Sequence, residues 1–470
     1  MFSPRAFTLA LLSGIMVWTP VLSVSAEEKP PAIAPAQAQA QQVLTLSEAI
    51  QIALQHNPQI QVAQEEIRQA EAQVKESLAQ GLPQLKITSS YGRQDPVGQR
   101  IVSGDNSAFA SNPQFAALLG TSSVNTFNTR IGVNQVLFAG FKVVDGIKIA
   151  EKSLDLQREG LRKTQQDIAY QVTEAYFTAL KNWEVVQLDQ ALIAQSEAHL
   201  KVVDAKMRAG VAPTIDRLRA QNQRLSFLQS LSQDLRKYEA SLSVLNQHMG
   251  QDPAQDHQLN RSAQVAQFDA LGRLQKQPAE ALALALQQRS EIRQLQYTLA
   301  MQQLNATVQS RGAWPTLSAG AAYSLQDTAV TDSNRNNVQN MNYSLNLDWP
   351  LFDGFKSQAL AEKALSEVDQ VQAQLVQQTQ AIQIEVQNTL KDLQAIEERL
   401  LLSAESTALA QEQVRISEKT YQTGSGSNID VLDAQIEQQK SQQQAIFTRF
   451  DQHLAYARLY KTLGLALNER

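Results

Sequence analysis

LFDGFK (residues 351–356) repeats, with one substitution, LFAGFK (residues 137–142). The two stand 214 positions apart, and the same offset carries Val172 onto Val386, Gly210 onto Gly424, Ile215-Asp216 onto Ile429-Asp430, Leu218 onto Leu432 and Ala220-Gln221 onto Ala434-Gln435. Nearer the N-terminus the offset is 232, which carries Glu48-Ala49 onto Glu280-Ala281, Pro83 onto Pro315, Leu85 onto Leu317 and Tyr91 onto Tyr323. The change from 232 to 214 is an insertion of 18 residues in the first copy, between residues 91 and 137. Two long copies mean a duplicated unit, since a solenoid needs a shorter period and more repeats.

Each copy changes character along its length. Residues 44–80 and 280–311 have a helical pattern, stopped by Gly81-Leu82-Pro83 and by Gly312-Ala313-Trp314-Pro315. The period then falls to two. Met341, Tyr343, Leu345, Leu347 and Trp349 oppose Asn342, Ser344, Asn346 and Asp348, while Phe127, Ile131, Val133 and Leu137 oppose Asn128, Arg130, Gly132 and Asn134. Residues 85–91 and 317–325 alternate likewise. Four strands are expected, at about 84–94, 127–138, 315–327 and 341–352. One apolar and one polar face suit a sandwich or a membrane barrel. The strand length favours the barrel, with Tyr91, Phe138, Tyr323, Trp349 and Phe352 as membrane-interface aromatics. A small periplasmic β-layer packed on helices is the alternative. Four strands cannot close a barrel, so a barrel here must be shared between chains, and a shared barrel with a polar inner face is a pore.

From Lys142 to Ala209 no proline interrupts the chain. Ile147, Leu154, Leu161, Ile168 and Ala175 recur every seven residues, as do Val172, Ala179, Val186, Ile193 and Leu200. The second copy repeats this with Val368, Leu375 and Ile382, and with Val386, Leu393 and Leu400. Sustained sevens predict helices packed along a seam. A helix over 142–209 is roughly 100 Å long at ~1.5 Å per residue, so it needs neighbours of equal reach. A shorter helix running to about His248, stacked end to end on one over about 58–80, makes up that length. Residues 292–311 and 428–463 offer the same pieces in the second copy. The expected fold class is mainly α with a membrane β-barrel segment: long coiled-coil helices plus four strands per chain.

The chain has 470 residues, 43% of them hydrophobic, a net charge of −5 and no cysteine. No basic run asks for a nucleic-acid partner. Residues 1–26, with Arg5, an apolar stretch and Val24-Ser25-Ala26, read as a secretory signal peptide. Residues 27–42 read as a flexible leader rich in Pro, Ala and Gln. No later apolar stretch is long enough for a membrane helix. The divisions expected are a first repeat over 43–250, with a tip turn at 210–214, a linker over 251–278, and a second repeat over 279–470, with a tip turn at 424–428. Loop 95–126 is expected to face outside.

LSEAIQIALQHNPQI near the start, the paired LFAGF and LFDGF, and the paired turns MRAGVAPTID and YQTGSGSNIDVLDAQ together resemble the TolC-like outer-membrane efflux proteins, over about residues 43–467. The resemblance implies a homotrimer with a 12-stranded barrel in outer-membrane lipid and a periplasmic α-helical tunnel. It further implies docking, through a periplasmic adaptor protein, to an inner-membrane pump of the RND or ABC type.

No enzyme, cofactor or metal is expected: His56, His199, His248, His257 and His453 lack ligand spacing. Asp430 and Asp433 are three apart and share a helix face. In a trimer they make rings of carboxylates; the alternative is that both complement the helix N-terminus behind Asn428. The resemblance favours the rings, because the family's matching pair lines a closed aperture. Tyr421 and Asp216 match positions that bond across the tip and hold it shut. Gly426 stands where relatives can carry an arginine, for which Arg217 or Arg219 are possible substitutes. Gly210-Val211-Ala212 and Gly424-Ser425-Gly426 match adaptor-contact tips and are also ordinary turn chemistry. The expected function is a passive exit duct for efflux or one-step (type I) secretion. The rival is a structural periplasmic coiled-coil spacer, anchored in the outer membrane and without a lumen.

Overall fold

A computed structural model describes residues 43–95, 124–260, 277–331 and 334–465. The expected signal peptide, the leader, most of loop 95–126 and residues 261–276 of the expected linker lie outside the described residues. The order is α1 (Leu46–His56), α2 (Pro58–Ala79), β1 (Gln84–Gln94), β2 (Val124–Ala139), α3 (Lys142–Arg208), α4 (Thr214–Met249), α5 (Pro278–Gln288), α6 (Ser290–Ser310), β3 (Thr316–Thr331), β4 (Asn334–Asp348), α7 (Lys356–Thr423) and α8 (Asn428–Thr462).

The strands form one antiparallel sheet in the order β1-β2-β3-β4. Leu85, Val133, Ala321 and Tyr343 make one row across it, and Ile87, Ile131, Tyr323 and Met341 another on the same face. Lys86, Gly132, Ala322 and Asn342 form a row on the opposite, polar face. The ladders are irregular at two places, between Ala329 and Thr331 on β3 and within β2. An irregularity between Val136 and Phe138 leaves Leu137 without a partner and sets Phe138 opposite Leu317. β2 starts earlier than its expected 127, taking residues 124–126 from the loop. β4 stops at Asp348 rather than 352, because Pro350 has no N–H to donate to the ladder. Trp349 and Phe352 therefore lie in the connection to α7, and Tyr323 lies midway along β3 rather than at a strand end.

The opening motif is where strand becomes helix. Gly140 and Phe141 both have left-handed backbones (φ 61° and 62°), as do Gly354 and Phe355 (φ 68° and 65°). Two such residues in succession turn the chain sharply. The phenylalanines bear a conformation that costs a non-glycine residue on the order of 1–3 kcal/mol. Ring packing holds them there. Phe141 meets Phe138 edge-on at 5.6 Å, and Phe355 meets Phe352 edge-on at 5.6 Å. Phe141 also packs edge-on against Trp314 under the Arg311 guanidinium, which pairs with buried Asp145 at 2.5 Å. The second copy uses Asp353 instead, which accepts the Ser357 N–H at 2.9 Å.

α3 and α7 have 67 and 68 residues, each roughly 100 Å at ~1.5 Å per residue. Every residue of the expected heptad stripes is buried or half-buried. α2 and α4 both pack along α3, and α6 and α8 pack along both α3 and α7. The short helices meet end to end. α4 closes on Gly250 (φ 71°), at a spot where a Cβ would stand 2.5 Å from the His56 carbonyl oxygen, and Asn57 Nδ2 donates to the His248 carbonyl at 2.7 Å. α8 closes on Gly464 against Gln288 and Arg289 in the same way. The two cores around these joints use equivalent residues. Ala49, Ala53, Ile168 and Leu245 in one correspond to Ala281, Ala285, Ile382 and Leu459 in the other. Part of the expected linker is structural, since Leu44 pairs with Leu259 and the Tyr176 hydroxyl donates to the Leu44 and Asn260 carbonyls.

The glycines of the two junctions are not equivalent in space. A Cβ on Gly140 would meet Trp314 Cβ at 3.0 Å, whereas one on Gly354 meets nothing within 4 Å. Gly354→Ala is expected to cost only its left-handed backbone, ~1 kcal/mol, and Gly140→Ala distinctly more. Thermal unfolding of the two variants side by side checks the order.

Candidate functional site: the helical tip

The end of the shaft far from the sheet is made by two helix hairpins. Both open with the same C-cap. Gly210 (φ 73°) and Gly424 (φ 86°) end α3 and α7, the Val211 N–H returns to the Lys206 carbonyl, and the Ser425 N–H returns to Thr420. This 6→1 bond satisfies carbonyls that a helix end leaves free, and it requires the left-handed glycine. Val211 is 72% exposed at the outermost turn. Gly426 is tightly enclosed: a Cβ there would stand 2.7 Å from Thr420 Oγ1 and 3.0 Å from the Tyr421 nitrogen. An arginine does not fit at this position without moving the turn.

Asp430 and Asp433 are both exposed on the first turns of α8. Asp430 has a local partner. Ser427, not Asn428, is the N-cap, and it forms a capping box with Asp430, whose Oδ2 accepts the Ser427 N–H at 3.1 Å. Asn428 is instead buried and faces inward. Its amide donates to the Asp216 carbonyl at 3.1 Å and its oxygen stands 2.8 Å from His199 Nε2. One buried side chain thus ties α8 to α3 and α4.

The expected hydrogen bond between Tyr421 and Asp216 is not formed. The Tyr421 hydroxyl is buried and has no hydrogen-bond partner among the described residues. Burial, and then the negative charge of nearby Asp216, raise its pKa. Tyr421 is held by other means. The Lys206 ammonium donates to the Tyr421 carbonyl and lies 4.3 Å from its ring centroid, and the His199 ring packs 5.4 Å away. Neither arginine reaches Tyr421: Arg217 pairs with Asp204 at 2.8 Å, and Arg219 is 3.8 Å from Asp216. His199 and Lys206 escape sequence reading because their partners are 229 and 215 positions away. One sequence signal does point to them. The clamp residues Lys206, Tyr421, His199 and Asn428 fall on Thr420, Met207, Gln413 and Thr214 under the repeat offset, so they are positions where the copies differ.

Further up the shaft, α3 and α4 bury two carboxylates side by side, Asp189 at 2% exposure and Asp234 at 8%. Lys237 holds Asp234 at 2.6 Å. Burial, and then the Asp234 carboxylate, push the Asp189 carboxyl up to about 7. The five proposed interface aromatics do not form one set: Phe138 and Phe352 join the junction packing above, Tyr91 donates to Asn125 and Tyr323 to Gln339, and Trp349 is exposed just past β4.

Duplicated long helices, an amphipathic four-strand sheet and a polar tip of two helix hairpins are the features by which the chain is compared with known proteins. The sequence matches the family described as outer membrane efflux protein over residues 49–251 and 281–465, and the chain belongs to that family. It is accordingly a protein of the outer membrane. It is 22% identical over 306 residues to the outer membrane efflux protein BepC of Brucella suis, an alignment spanning 65% of each chain. CusC shares the fold at 17% identity with a TM-score of 0.73, over 94% of this chain and all of that one. The outer membrane protein VceC of Vibrio cholerae shares it at 16% identity with a TM-score of 0.70, over 90% and 97%.

Two outcomes are expected. Asn428→Ala strands His199 and the Asp216 carbonyl, costs about 2 kcal/mol, and speeds amide exchange through the tip; unchanged exchange in residues 421–433 would count against the clamp. Asp189 keeps in the fold a proton that the unfolded chain gives up near its ordinary carboxylate pKa. The pair is therefore least costly in acid, and its penalty grows as pH rises to about 7. Asp189→Asn should raise the unfolding temperature more at about pH 8 than at about pH 5.

Proposed function

We propose that three copies of the chain close a 12-stranded barrel and a helical tunnel, forming the passive exit duct of a tripartite efflux pump or a type I secretion system. One observation carries the reading: among the described residues the sheet has two free edges, β1 and β4, and its outer face is apolar at both, with Leu85 68% and Tyr343 76% exposed. A single chain has too few strands to close, and unpaired edges are not stable in lipid. Pairing β1 of one copy with β4 of the next removes every edge. The helices have the matching need. α7 leaves Leu401, Leu402 and Leu409 exposed, which suits the α2/α4 edge of a neighbouring copy. Tyr91, Phe138, Tyr323, Trp349 and Phe352 would then face the membrane.

In this assembly Asp430 and Asp433 form two rings of three carboxylates at the narrow end. Asp430 stays exposed while it caps its own helix, and Asp433 is exposed without an ion pair among the described residues. Converging like charges draw cations to the aperture. Lys206–Tyr421 and Asn428 hold the hairpins in the closed arrangement, with Asp216 beside them. The turns at Gly210-Val211-Ala212 and Gly424-Ser425-Gly426 present the surface for a periplasmic adaptor, which links the duct to an inner-membrane pump that supplies the energy. BepC is itself named an outer membrane efflux protein, and the work on CusC concerns transmembrane channel formation.

Single-channel recording of the purified trimer in a planar bilayer tests this. A small conductance, blocked by divalent cations from the tip side only and freed of block in Asp430→Asn/Asp433→Asn, is expected. A verified trimer that stays silent even when Lys206→Met loosens the tip would favour a spacer without a lumen.

A further inference from the structure

The polar face of the sheet carries a trough of about 410 Å³. Its floor is low because Gly132 and Ala322 occupy the middle of a row that runs from Lys86 on β1 to Asn342 on β4. Arg130 stands opposite Thr88, diagonal to Lys86 on the neighbouring strand. Diagonal cross-strand neighbours are on the order of 7 Å apart, within reach of each other for side chains this long. Both are exposed, and among the described residues neither has a carboxylate partner. Adjacent like charges on one sheet face are unfavourable unless something negative lies between them. The trough supplies no acid for this. What it adds is neutral: the Asn342 and Asn134 amides and the Ser344 and Thr88 hydroxyls.

We propose that this trough is a binding site for soluble organic anions bearing more than one carboxylate or similar oxyanion group. A guanidinium and an ammonium at this spacing hold two anionic oxygens, and the amides and hydroxyls bond the remainder of a polar solute. The volume suits a small acid. Lipid is not the occupant, because the face that meets lipid is the opposite one, bearing Leu85, Ile87 and Tyr343. The inference rests on the duct reading for its meaning: in a closed barrel the trough faces the lumen, so the sheet end of the path carries a basic pair while the tip carries Asp430 and Asp433. The binding site itself lies within one protomer's sheet.

Calorimetric titration of the detergent-solubilised full chain with citrate, at low ionic strength, tests the site without requiring a conducting pore. Saturable binding of one citrate per protomer is expected, weakened at least tenfold in Lys86→Gln/Arg130→Gln and nearly unchanged in Asp430→Asn/Asp433→Asn. Retained helicity and oligomeric state verify that the exposed substitutions leave the fold intact. No saturable binding, or equal binding by the Lys86→Gln/Arg130→Gln variant, overturns the proposal. Bilayer recording separates this from the duct reading. Where a channel conducts, external citrate should reduce its current, and Lys86→Gln/Arg130→Gln should relieve that block. A trimer that stays silent even with Lys206→Met, yet still binds citrate through Lys86 and Arg130, would overturn the duct and keep the site.

Discussion

Two consecutive left-handed residues, a glycine and then a phenylalanine, connect sheet to shaft in each half of the chain. The rest of the architecture depends on this reversal. It delivers a helix of about 100 Å onto the end of a strand. The glycine adopts the conformation freely, but the phenylalanine does not. Aromatic contacts with Phe138 or Phe352 pin the ring, so the strain is met by packing where the sheet and the helices touch. In the first copy the Arg311–Asp145 pair adds a charged lock to the same joint.

A helix that long cannot bury its seam against one short partner. The fold answers with two collinear helices on each side, and their joints follow one pattern. A glycine closes the longer segment, and its missing side chain admits the backbone of the next turn at van der Waals distance. The first joint is stitched by Asn57 and the second by Arg289, which pairs with Glu385 at 2.6 Å and Glu291 at 3.2 Å. Replacing an amide by a buried, fully paired guanidinium preserves the geometry while changing the chemistry. The equivalent alanines and isoleucines of the two cores keep the helices at the same spacing in both halves.

The tip obeys a different logic. Its turns are symmetric in backbone, with the same left-handed glycine and the same return bond, but its side chains are not. Asp216 and Asp430 are the same residue of the repeat, yet Asp430 caps its own helix while Asp216 lies beside a buried tyrosine and offers its carbonyl to Asn428. A buried tyrosine hydroxyl with no partner among the described residues, a lysine over its ring and a buried histidine–asparagine bond make the tip a costly polar arrangement.

The duplication, the alternation of the strands, the helix stops at Pro83 and Pro315 and the long heptads were all legible in the residues, because each is a local pattern with its own period. The long helices begin at Lys142 and Lys356, the residues that follow the two repeated LF(A/D)GF motifs, whereas β3 runs on to Thr331 and β4 starts at Asn334, beyond the expected 327 and 341. Three things were not legible. The left-handed phenylalanines carry no local signal, since only ring packing from distant segments makes them tolerable. The unpaired Leu137 shifted which aromatic meets Leu317, because a bulge is decided by the partner strand. The contacts around Tyr421 come from Lys206 and His199, with Asn428 joining His199 to the Asp216 carbonyl, because two helix hairpins more than two hundred residues apart in sequence had to converge before these groups had partners. Periodicity determines which face of an element is buried; only the tertiary structure decides which polar groups meet there, because a hydrogen bond depends on distances that no one-dimensional spacing contains.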